Sequence, residues 1–113
     1  MNEYKITNVA NNDLVSAILQ EVEREIKGNK DDRLQVLESE KQSLENKGIC
    51  ISAILLAVAE SIAAAAIYEL LKSVVKRFRK IKEYNPDAVL EIEYTNGQEH
   101  TKIKITLNDI LEK

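Results

Sequence analysis

The 113 residues are enough for about one domain with its own core. The net charge of −3 argues against a general nucleic-acid binder, and a single cysteine, Cys50, excludes an internal disulfide and fits a reducing compartment. With 44% hydrophobic and 31% charged residues, one proline and three glycines, the chain reads as globular, without long flexible linkers.

The opening MNEYKITNVANND has no basic region leading into an apolar run, so no secretory signal is expected. Tyr4 and Ile6 alternate with Lys5 and Thr7, which predicts a short strand over 4–9. Asn11, Asn12 and Asp13 then offer an N-cap to a helix whose stripe is Leu14, Val15, Ile18, Leu19, Val22 and Ile26. Gly28, just past that stripe, is the expected left-handed C-cap. Leu34, Leu37, Lys41 and Leu44 have helical spacing, but Arg33 to Ser39 also reads as a strand that buries Leu34 and Val36. The strand is preferred. It would lie beside the first through a right-handed crossover, with 40–46 as a turn or helical lead-in.

From ISAILLAVAESIAAAAIYELLKSVVKRFRK onward the expectation is one long apolar helix. Between Ile49 and Ile67 its only charge is Glu60, so a membrane span over about 49–70, with the basic carboxyl side cytoplasmic, is a legitimate reading. Against it, an acid near the centre costs on the order of 3 kcal/mol. The run is also alanine-rich, and a span would leave the terminal hairpin without a cover. As a buried helix it carries an apolar stripe of Ile67, Leu70, Leu71, Val74, Val75, Phe78 and Ile81. Ala53, Ala57, Ser61 and Ala65 fall four apart and would form a small-residue ridge for close helix approach, although the alanines could equally lie against a sheet. Glu60 would make a polar contact within such an assembly, or reach solvent. Lys76, Arg77, Arg79 and Lys80 would form a basic end, which as a solvated helix terminus also complements the macrodipole.

Asn85-Pro86-Asp87 is expected to break that helix. AVLEIEY and HTKIKITL then alternate on either side of TNGQ and predict a hairpin. With Asn96-Gly97 as a type I′ turn, Glu91 would face Lys102, Glu93 would face His100 and Leu90 would face Ile103. Leu90, Ile92, Tyr94, Ile103 and Ile105 would share one face. Leu107 to Leu111 would add a short helix, capped by Asn108.

No catalytic constellation is legible. His100 is the sole histidine and reads as a cross-strand partner of Glu93, and one histidine with one cysteine cannot assemble a metal site. Cys50, beside two isoleucines, reads as a small buried hydrophobe. No glycine-rich phosphate loop is present, so no cofactor is implied.

The element order, together with IYELLKSVVKRFRK followed by VLEIEYTNGQEHTKIKITL, resembles the effector-associated constant component family of bacterial conflict systems. The resemblance implies a small α+β domain without catalytic residues, encoded beside variable effectors in immunity loci. The expectation is therefore a single α+β domain over 1–113, β-α-β, then a long apolar helix, a C-terminal β-hairpin and a short helix, with ferredoxin-like layering. Its expected role is that of a non-enzymatic, cytoplasmic adaptor or scaffold in bacterial defence. It would act on a protein partner and on itself as a homo-oligomer, through Ala53, Ala57, Glu60, Ser61, Ala65, Lys76, Arg77, Arg79 and Lys80. The alternative is a small single-pass inner-membrane protein that oligomerises in the bilayer. A toxin-neutralising role, suggested only by the acidic surface, is the third reading.

Overall fold

A computed structural model describes residues 2–44 and 48–113. Eight elements follow in order: β1 (Asn2–Thr7), α1 (Asp13–Asn29), β2 (Leu34–Leu44), β3 (Gly48–Val58), α2 (Ala64–Phe78), β4 (Val89–Asn96), β5 (Glu99–Thr106) and α3 (Leu107–Leu111). The five strands form one sheet in the order β2-β3-β1-β4-β5, and every neighbouring pair is antiparallel. β1 and β2 consequently run the same way with β3 between them, and β3 and β4 run the same way with β1 between them. These are two split β-α-β units, each threaded through the other, which is the ferredoxin-like arrangement. β5 and α3 extend it at one edge. The expected α+β layering holds, but the expected adjacency of β1 and β2 does not, because β3 fills the place between them.

The long apolar helix is the main correction. Residues 48–58 are a strand, 59–63 connect, and only 64–78 are helical. The 49–70 segment is therefore not one helix, and no helix among the described residues is long and apolar enough to cross a membrane. Ile54, Leu56 and Val58 point into the core, while Ala53 and Ala57 point to the other face, where they are 1% and 3% exposed. A strand paired on both sides and buried on both faces is apolar at nearly every position, so it lacks the alternation that usually marks a strand.

The helices all pack on one face. α1 contributes Leu14, Val15, Ile18, Leu19, Val22 and Ile26, the expected stripe, and α2 contributes Ile67, Leu71, Val74 and Val75. They meet Tyr4 and Ile6 of β1, Leu90 and Ile92 of β4 and Ile105 of β5. Ile81, expected in the α2 stripe, is exposed, because α2 ends at Phe78, well before Pro86. Asn12 caps α1 by accepting from Val15 N at 3.1 Å. Its left-handed terminus is Lys30 (φ 52°) and not Gly28, which lies inside the helix. α3 is capped by Thr106, whose hydroxyl accepts from Asp109 N, and not by Asn108.

β2 is longer than expected. Residues 40–44 continue the strand against β3, and 45 and 46 of the expected turn lie outside the described residues. Register shifts fall between Val36 and Glu38 and between Glu40 and Lys41. The β4–β5 register differs from expectation by two residues: Leu90 faces Ile105, Ile92 faces Ile103 and Glu93 faces Lys102. A type I′ turn needs positive φ at both central residues, whereas here Gly97 (φ 49°) and Gln98 form the loop and only Gly97 is positive. A slip of two preserves the faces, so the apolar set stays together.

Asn8 ties the end of β1 to two other elements. It is 2% exposed, its Nδ2 donates to Asn12 O (2.9 Å) and Ile51 O (3.1 Å), and its Oδ1 accepts from Asn12 N (2.9 Å). Ser16 Oγ accepts from Ile51 N at 2.9 Å, so the start of α1 is fastened to β3 twice. Asn8→Ala leaves buried backbone groups without partners and is expected to cost roughly 1–3 kcal/mol in urea denaturation. Gly28→Ala is expected to act in the opposite direction. An added Cβ there meets nothing within 4 Å, and the helical backbone gains roughly 0.5–1 kcal/mol, read as a raised Tm.

Candidate functional site

Among the described residues no group of three or more His, Cys, Asp or Glu could hold a metal ion. Cys50 is buried, its sulfur near Asn8 and the Asn11 carbonyl. His100 Nε2 lies 2.6 Å from Glu93 Oε2, and this contact holds the Glu93 carboxyl below its usual range. The expected pairs Glu93–His100 and Glu91–Lys102 (3.4 Å) both form, but as diagonal neighbours in the observed register.

The candidate interaction residues do not form one surface. Ala53 and Ala57 are buried in β3, Glu60 and Ser61 are exposed in the connection after it, and Ala65 is exposed in the first turn of α2. The helical ridge of small residues does not exist, because the four-residue spacing runs across a strand, a turn and a helix start. Lys76, Arg77, Arg79 and Lys80 sit at the far end of α2, about 20 Å from its start for 15 residues at 1.5 Å each. Arg77 is engaged within the molecule: it bridges to Glu21 (3.5 Å) and Glu25 on α1, across the pair of helices whose apolar faces share the core. Lys76, Arg79 and Lys80 are exposed, and their side chains make no ion pair or hydrogen bond among the described residues.

Two further surface features carry no obvious signal in the sequence. The first is a cleft of about 250 Å³ on the helix side, between the start of α2 and the β4–β5 hairpin, lined by Ala64, Tyr68, Tyr94, Thr101 and Ile103. Its floor is stiffened by Tyr4 against Tyr94, with ring centroids 4.9 Å apart. The second is the face of the sheet opposite the helices, where long polar side chains interlock. Lys5 pairs with Glu40 at 3.5 Å, and Lys102 pairs with Glu91. Glu38 on β2 and Lys104 on β5 have no ion pair among the described residues. Knowing which strands lie at the edges is what gives those two charges meaning, and that order was not readable beforehand.

Searched against protein families, curated proteins and solved structures, the chain finds no match in any of the three.

Between α1 and β2, Glu23 Oε2 and Ser39 Oγ are both shielded from solvent. The neighbouring Ser39 hydroxyl holds the Glu23 carboxyl below the ordinary carboxylate range, with Lys27 (3.2 Å) and Lys41 adding to it against the effect of burial. A depressed folded-state value means stability that is present above the unfolded pKa and lost as pH falls through the folded one. Ser39→Ala is expected to move the Glu23 titration up toward the ordinary value in a carbon-detected NMR titration, and to flatten the loss of stability on acidification.

Proposed function

We propose that this chain is a non-enzymatic adaptor or scaffold of a bacterial defence system, working in the cytoplasm by binding an acidic protein surface and by associating with itself. The observation that carries the reading is the unpaired basic end of α2. Lys76 in the last turn of α2, Arg79 at its C-cap and Lys80 just beyond it are exposed, and their side chains make no ion pair or hydrogen bond among the described residues, on a chain whose net charge is −3. Cations placed this way steer encounter with a negatively charged partner and add to the rim of the contact. The defence setting rests on the resemblance of the α2 and hairpin segments to the constant components of conflict systems. The ferredoxin-like arrangement itself hosts many unrelated functions and adds nothing to the choice.

The test is the triple variant Lys76→Glu, Arg79→Glu, Lys80→Glu, compared with the natural chain by quantitative affinity purification from the host. Three rim reversals at about 0.5 kcal/mol or more each correspond to roughly a tenfold loss of the bound partner. The circular dichroism spectrum should be unchanged. Equal recovery of the same partner by both proteins would overturn the reading.

A further inference from the structure

The two ends of the sheet are unlike each other, and the difference is electrostatic. β2 and β5 each have one neighbour, so each leaves a row of backbone donors and acceptors unpaired. Four antiparallel steps separate them, so they point the same way. A second copy moved sideways along the sheet can therefore set its β2 beside β5 of the first. Both molecules then keep their helices on the same side. On the face opposite the helices, β2 carries Glu38 and Glu40 while β5 carries Lys102 and Lys104.

We infer that copies of this chain join head to tail, β5 of one against β2 of the next, so that the sheet continues from molecule to molecule. The inference deepens the self-association part of the proposed function and does not involve the basic end of α2. Charge selects this pairing over the closed alternatives. Two β5 edges meeting about a two-fold axis would set Lys102 and Lys104 against their own copies, and two β2 edges would do the same with Glu38 and Glu40. Edge charges of one sign are a usual device against pairing of like edges. Here the two edges have opposite signs, so the device blocks the like pairs and favours the unlike one. Of these four charges, Glu38 and Lys104 have no ion pair among the described residues, and they gain a partner in the joint. Ile103, 43% exposed at the β5 edge, lies on the helix side, as do the half-buried Leu34 and Val36 of β2, so the same joint covers apolar surface. The register shift between Val36 and Glu38 bends β2 and limits the straight stretch available for pairing. The association is accordingly reversible and concentration-dependent. Because the two surfaces differ, it does not close at two copies.

Sedimentation velocity over a range of concentrations at low salt tests it. The expected result is an average mass that grows past the dimer with concentration and falls back toward the monomer in molar salt. Glu38→Lys and Lys104→Glu, each alone, should weaken association by about tenfold or more. Mixing the two variants should restore it, since the reversed charges then face each other. Circular dichroism verifies that each variant is folded, and if Glu38→Lys is not, Glu38→Gln in the same series keeps the test. A mass that stays monomeric, a mass that stops at two, single variants that assemble like the natural chain, or a mixture that gains nothing would each overturn the inference. The triple variant at the end of α2 should assemble normally here. Loss of partner binding with intact assembly thus bears on the proposed function alone, and failure of the charge exchange bears on the edge contact alone.

Discussion

Everything in this domain is arranged around β1, a strand of six residues that is paired along both sides. Its backbone groups are satisfied by β3 on one side and β4 on the other, and Tyr4 and Ile6 anchor its buried face in the core. α2 carries the chain from β3 over this strand to β4, and α1 carries it from this strand over β3 to β2. Their antiparallel packing, closed by Arg77 against Glu21 and Glu25, keeps the two crossovers in line. Asn8 fixes the point at which β1 ends and α1 begins, and so sets the angle at which the first crossover leaves the sheet.

Much of this was legible in the sequence, and the failures have physical causes. The α1 stripe is legible residue by residue, since a helix packed on one face leaves a 3.6-residue period. The alternation in β4 and β5 also gave the right faces. Their register was two residues off because Asn-Gly suggested a turn that the backbone does not make at Asn96. Gly48 to Val58 defeated periodicity altogether. Its inward residues are apolar because they face the helices, and its outward Ala53, Leu55 and Ala57 are apolar too, with Lys5, Glu38 and Glu40 lying around Ala53 and Leu55. Alanines at that spacing also suit a helix, and nothing local separates the two cases.

The candidate surface was less legible for a related reason. A ridge inferred from spacing depends on the element being helical throughout, and once 48–58 is a strand the four small residues disperse. The basic end survived because it belongs to the part of the segment that is a helix, although Arg77 proved to be an internal brace. The edge charges could not be recognised as a set before the strand order was known. Glu38 and Lys104 are 66 positions apart in the chain and lie at opposite ends of the sheet.

The interlocking of the two crossovers has a consequence for divisibility. The strands flanking β1 come from different halves of the chain, one before α2 and one after it, so no cut between α1 and β4 leaves either piece with a complete sheet. A fragment ending after β3 has the central strand but only one of its two neighbours, and a fragment starting at α2 has a hairpin and no central strand. The two halves are complementary parts and not subdomains, so the architecture can be rebuilt from pieces only by their reassociation around β1.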